Sequence, residues 1–526
     1  MRPGRAWPVA ACGVALLACS ERPLPVEATQ PGHDAGGVDV GQPGDAGKDM
    51  GAAPGVLDWA VSVGSQPSAT AAGGTTVKAV MALDDGGAIV AGSFTGTVAF
   101  ASDVIRDGTP GAGFAARYRS DQRLVWVHVL AADGGRVVVA DAAALGDGEM
   151  VLAGWFDGTL TERRDTAPIT VASAGGLDAF AARLASDGSV RWIKRAGGPG
   201  DDIARGVAVG AGVGGAPSIA ITGAIAGAAV FGTGELTETR ATALDGPVFA
   251  ARLDGDGALV WARFAGGGVP GQGYGVAHDG AAAVAVTGYV NGVASFGGDV
   301  RGAPVSIDPA MGRAFVARWD AGGRLLWAQP LAGPMGEGDA IAIGASGAIV
   351  AAGLFQGEAR FGAGATAPAL IADSPGQQGS YLAAFAGDGA TLWARRLVGV
   401  GIHPWRLRAG PDGDLLLAAS FGGGIVLDPD GARPLTLFST DRSTDALFAR
   451  LAGDGALRWA SAGGGPGAEQ GVDFTAARDG SSWAVGTYYG PAMFGAGSAF
   501  GAGSAARLDS GTDGGSFLLR LLAPTP

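Results

Sequence analysis

Tryptophan recurs along this chain with a period that few folds accommodate. Trp59, Trp126, Trp192, Trp261, Trp327, Trp393 and Trp459 follow one another at intervals of 67, 66, 69, 66, 66 and 66 residues. Chance placement of 12 tryptophans would not produce that regularity, so the chain is an internal repeat, and the repeat decides the architecture. Twelve residues ahead of the last six tryptophans stand Phe114, Phe180, Phe249, Phe315, Tyr381 and Leu447. The constant interval fixes a hairpin. Its turn carries Asp187-Gly188, Asp256-Gly257, Asp388-Gly389 and Asp454-Gly455, where glycine allows the positive φ of a tight turn.

The other half of each repeat is a second hairpin, as in "GVAHDGAAAVAVTG", closed by a glycine at Gly92, Gly154, Gly223, Gly288, Gly353 and Gly486. Each repeat therefore supplies four short strands, A ("GVAV"), B ("AVAVTG"), C ("FAARL") and D ("LVWARF"). With 97 glycines and few charges, the composition argues against helices. The uncharged stretches Gly206 to Gly234 and Ala340 to Gly357 are long enough to suggest membrane spans, but both are split by glycines and fall in register with the A–B hairpins. They read as buried strand pairs.

The chain begins with a lone D strand, "VLDWAVSV", and ends with a lone C strand, "SFLLRLL". A ring lets the N-terminal D strand complete the last unit beside the C-terminal C strand, covering two edges a linear array would expose. The fold class expected is all-β, a seven-bladed β-propeller of four-stranded blades closed in that way. About 25 residues between B and C, often with a Phe-Gly such as Phe231-Gly232, Phe296-Gly297, Phe361-Gly362 or Phe494-Gly495, leave room for an extra hairpin in each blade. "FVARWDAGGRLLW" at Phe315 to Trp327 and "AVAVTG" at Ala283 to Gly288 resemble the seven-bladed β-propeller repeat family of bacterial envelope proteins. The resemblance covers Val56 to the C-terminus and implies an architecture more than an activity.

Residues 1–18 read as an export signal: two arginines, an apolar run of about a dozen residues, then small residues. Leu16-Leu17-Ala18-Cys19 resembles the bacterial lipobox, which implies cleavage before Cys19 and a lipid on that cysteine. Ser20 resembles the outer-membrane sorting pattern. The other cysteine, Cys12, lies inside the signal, so the mature chain holds no disulfide and a large core must stabilise it. Residues 19–55, rich in Pro, Gly and Asp, read as a disordered tether, and 56–526 as the propeller. The expected location is the cell envelope, with the chain monomeric and held to a membrane through its anchor.

Residues repeated in nearly every unit belong to the fold, because an asymmetric ligand does not need seven copies of one group. That assigns Trp192 and its equivalents to packing between blades, and Arg117, Arg183, Arg252, Arg318, Arg450 and Arg520 to strand-face pairing. Unrepeated residues in the connections entering strand A are the candidates for binding: Asp201, Asp202, Tyr274, Glu337, Asp339, His403, Trp405, Glu469 and Asp473. Tight A–B and C–D turns leave the long segments on one face, the expected interaction surface.

No catalytic residues, metal site or cofactor are expected. The four histidines form no metal-type cluster, no serine has the flanking glycines of a nucleophile elbow, and "GAGVGG" at Gly210 to Gly215 precedes a strand where phosphate binding needs a helix. A net charge of −13 without a basic block excludes nucleic acid as a partner. The function expected is a binding module for a protein or glycan. A scaffold for an envelope complex and a glycan lyase or hydrolase are the alternatives.

Overall fold

The computed structural model describes residues 56–522 except 65–72, 102–103, 109, 163–166, 228, 232–247, 266–270, 299–303, 308–313, 332, 334–335, 363–367, 373–377, 400, 432–433, 496–505 and 511–513. The expected export signal, Cys19 and the expected tether lie outside them. The described residues are all-β, with no α-helix and so no helix long and apolar enough to cross a membrane.

Seven antiparallel sheets share one plan. Their A strands are Gly73–Ala82, Val137–Gly146, Ile203–Ala211, Gly271–His278, Glu337–Ile343, His403–Ala409 and Gln470–Ala476. Each pairs with B, B with C, and C with D; in the third sheet these are Pro217–Ala224, Val248–Asp254 and Leu259–Ala265. The apolar stretches that mimic membrane spans are A–B hairpins of the third and fifth sheets. Strands B and C are buried along nearly their whole length, as sheets packed on both faces require.

The seventh sheet takes its strands from both ends of the chain. Val56–Ser62 pairs antiparallel with Gly515–Leu522, Val56 opposite Leu522 and Ser62 opposite Phe517. Each A strand lies against the A strand of the next sheet, and the seventh lies against the first.

The repeated residues join neighbouring sheets. Trp59, Trp126, Trp192, Trp261 and Trp327 donate their indole N–H to the carbonyls of Ser120, Ser186, Gly255, Ala321 and Gly387, in the C–D turn of the following sheet, at 2.8–3.1 Å. Trp59 does this from the seventh sheet to the first. Arg117, Arg183, Arg252 and Arg318 donate to the last four of those carbonyls as well. Three of these arginines also hold an acid at the A–B turn of their own sheet: Arg117 with Asp85, Arg183 with Glu149 and Arg318 with Asp279.

Six of the B–C segments form small hairpins among the described residues, such as Thr159–Glu162 with Ile169–Ala172 and Gly424–Leu427 with Leu435–Phe438. Their phenylalanines cap the strand-C aromatic: Phe100 on Phe114, Phe231 on Phe249, Phe296 on Phe315, Phe361 on Tyr381 and Phe494 on Phe517, with ring centroids 4.7–5.5 Å apart. The Phe-Gly signals and the strand-C aromatics are thus two halves of one contact, with buried rings adding about 0.5–1.5 kcal/mol beyond their area.

Candidate functional site

Every A strand carries a β-bulge at the same place. Its pairing with B skips one residue: Lys78, Ala140, Arg205, Tyr274, Asp339, Trp405 and Val472 in sheets one to seven. A bulge re-aims a side chain out of the ladder, so the fold offers one backbone position seven times and fills it each time with different chemistry. Glycine is frequent on these strands, as at Gly206, Gly273, Gly275 and Gly338, which weakens strand propensity. Tyr274, Asp339, Trp405 and Asp473 therefore read from sequence as connections. The structure corrects this: all four lie inside strands, and Glu337 and His403, also read as connections, are the first residues of the fifth and sixth A strands.

Five of the nine sequence candidates come together in the fourth, fifth and sixth sheets. Glu337 and Asp339 stand two apart on one strand, and burial pushes both carboxyls up, Asp339 further because Glu337 adds like charge. Asp339 Oδ2 is buried without a hydrogen-bond partner. His403 Nε2 is 3.9 Å from it. Burial holds that imidazole down to about 4, so it is neutral near pH 7 and does not complete an ion pair. The His403 ring stacks on Trp405, 4.0 Å between centroids and 16° between planes, and Trp405 Nε1 donates to Ser420 Oγ.

Tyr274 lies 5.7 Å from Tyr289 between ring centroids. Its phenol is pushed up by burial first, then by Tyr289, Glu337 and Asp339, with the Arg205 charge opposing. The Arg205 guanidinium sits 5.0 Å over the Trp155 ring. Tyr381 donates to the Glu337 carbonyl. The cluster combines aromatic faces, a desolvated acid pair, a neutral imidazole and one cation.

The other four candidates serve elsewhere. Asp201 accepts from the Leu177 N–H; Asp202 accepts from Gly198 and Ala226, and burial raises it to about 6. Glu469 accepts from the Gly465 N–H and is raised by burial to about 7. These three hold turns together. Asp473 belongs to a charge network: Arg408 donates to both its oxygens at 2.7 Å, and the Val80 N–H at 2.8 Å. Arg406 donates to Asp141 at 3.0 Å, joining the sixth sheet to the second, whose A strand is not packed directly against its own. Burial raises Asp141, whereas at Asp473 burial is outweighed by the charges of Arg408 and Arg406, which hold it low.

Arg205, Trp155, Tyr289, Asp141, Arg406 and Arg408 escape the sequence reading. The repeat itself contains the signal for Arg205: Tyr274, Asp339 and Trp405 are 65 and 66 residues apart, and stepping back from Tyr274 by 69 reaches it.

Neither a family model nor a curated protein matches the chain. Among solved structures it is similar to the V. cholerae biofilm matrix protein Bap1, at 10% identity over 90% of this chain and 92% of that one, TM-score 0.28. It is also similar to the PQQ domain of pyranose dehydrogenase from Coprinopsis cinerea, at 13% identity over 74% and 96%, TM-score 0.26. A third is a streptogramin B lyase, at 12% identity over 47% and 93%, TM-score 0.20.

Proposed function

We propose that the seven sheets are the blades of a β-propeller closed by the pairing of the N-terminal D strand with the C-terminal C strand, and that the molecule is a binding module for glycans. The chain is a monomeric bacterial envelope lipoprotein, anchored through Cys19. One observation carries the binding role: Arg205, Tyr274, Asp339 and Trp405 occupy equivalent bulges of consecutive A strands, with Glu337 and His403 two residues ahead of the last two. Where the fold repeats its backbone but not its side chains, the side chains answer to something outside the fold. Aromatic faces interleaved with hydrogen-bonding groups suit the apolar faces and hydroxyls of a sugar.

The test is a glycan array probed with the full chain and with Tyr274→Ala and Trp405→Ala. Binding to a defined glycan that both substitutions weaken at least tenfold supports the reading. An empty array, or binding indifferent to both, overturns it, and turnover of the bound glycan replaces recognition with catalysis.

A further inference from the structure

The turns joining strands A and B carry a second pattern, at the opposite end of the A strands from the bulges. Six of the seven sheets keep the strand-C arginine, and in five of them it meets a carboxylate: Arg117 with Asp85, Arg183 with Glu149, Arg318 with Asp279, Arg450 with Asp414 and Arg520 with Asp58, at 2.5–2.8 Å. The fifth sheet has neither half, with Ala384 at the arginine position and "GASGA" as its turn. Only the third sheet keeps the arginine, Arg252, while its turn, "GVGGA" at Gly212 to Ala216, holds no acid.

Arg252 is also the one buried member of the six, at 7% exposed. Its Nε donates to Ser218 Oγ at 2.7 Å and its Nη1 to the Ala321 carbonyl at 3.0 Å. The Asp279 carbonyl 2.6 Å from His278 Nδ1 can only accept, so Nδ1 carries the proton and Nε2 accepts from the Ser218 hydroxyl at 2.8 Å. Burial holds that imidazole low, so it is neutral near pH 7. Nothing in this relay offsets the guanidinium charge. The Asp279 carboxylate is taken by Arg318, and Asp254, whose charge does reach Arg252, accepts from Asp256 and Ala258 in its own turn. Among the described residues Arg252 therefore has hydrogen bonds and no ion pair, a costly state for a desolvated cation.

Its Nη2 makes neither bond and stays open to solvent beside the turn, where a Cβ on Gly212 would lie 3.3 Å from it. The sixth sheet shows what fits there. Its turn bond, from the Gly410 N–H to the Asp414 carbonyl, sets the Asp414 carboxylate against Arg450; the matching bond in the third sheet runs from Gly212 to Ala216, which offers only a methyl.

We propose that this turn binds a small carboxylate from outside the chain, seated between Arg252 Nη2 and Ala216 where the sister sheet places its own acid. One guanidinium suits a single negative charge and pairs with a carboxylate through charge-assisted hydrogen bonds. The site is independent of the glycan reading and stands or falls without it.

Saturation-transfer NMR titration of the full chain with acetate, propionate and acetamide, at pH 7 without chloride, tests it in the parent, Arg252→Gln and Ala216→Asp. At least one acid binds about tenfold more tightly than acetamide, and Arg252→Gln weakens that acid about tenfold. Ala216→Asp supplies the acid from within, so it melts no lower than the parent and no longer binds either acid; the second variant keeps its fold and Arg252, which separates occupation of the site from damage to it. Silence from both acids at millimolar concentration, equal binding of acid and amide, or acid binding that survives in Ala216→Asp overturns the proposal.

Discussion

Gly323 shows how one residue serves two constraints. It has φ of +77° in the C–D turn of the fourth sheet, and a Cβ placed on it would lie 2.7 Å from the Trp261 ring of the preceding sheet. Gly257 and Gly389 meet Trp192 and Trp327 in the same way. Gly323→Ala therefore carries the left-handed penalty of about 1–2 kcal/mol and also displaces the indole, and urea denaturation should show a loss of at least that size. The titrating residues give a second expectation. Glu469 is raised from 4.5 to about 7, so its contribution to stability is full below 4.5 and disappears as pH rises through 7. His403 is lowered from 6.5 to about 4, so its contribution is full above 6.5 and disappears as pH falls through 4. Melting temperature followed across that range should fall less on the alkaline side in Glu469→Gln and less on the acid side in His403→Gln, each substitution flattening one limb alone. Glu337, Asp339 and His403 were legible as unrepeated polar residues, but their environment was not: a sequence gives spacing along the chain, and the desolvation that moves these groups comes from neighbouring sheets.

At the scale of elements, the D strand of one sheet and the C–D turn of the next behave as a fastener. The Trp261 indole is buried and donates to Ala321 at 3.1 Å, while Arg252 donates to the same carbonyl at 3.0 Å. Trp261→Phe keeps much of the apolar area and removes one hydrogen bond, for a loss of about 1 kcal/mol; Trp261→Ala also opens a cavity and should lose about 3–5 kcal/mol, both measurable by chemical denaturation. Strand order, hairpin turns and packing tryptophans were readable because the 66-residue period repeats them. The bulges were not, since a bulge is an offset between two strands and appears only when the pairing is known. The B–C hairpins stand between these cases: Phe296 and Phe315 were each visible as signals, and only the folded chain shows them 5.0 Å apart.

At the scale of the whole molecule, contacts between distant sheets bind the seven units into one. Arg406 and Arg408 connect the sixth sheet to Asp473 of the seventh and Asp141 of the second, and Trp59 connects the last sheet to the first. Removal of residues 1–63 deletes the outer strand of the seventh sheet, exposing the edge of Gly515–Leu522 and breaking the Trp59 contact. Size-exclusion chromatography should show aggregation of that truncation, whereas removal of residues 1–55 should leave the elution of a single folded species. The pairing of Val56 with Leu522 also sets an order in time. The first strand is made before any other part of the fold and its partner after the rest of the described strands, so the N-terminal edge waits unpaired while the intervening sheets are made. A direct encounter of the two would close a loop of most of the chain, but once the intervening sheets have stacked the ends already stand side by side. The strand Gly515–Leu522 is thus the one that completes the seventh sheet, and a chain cut before it has no finished sheet at that seam.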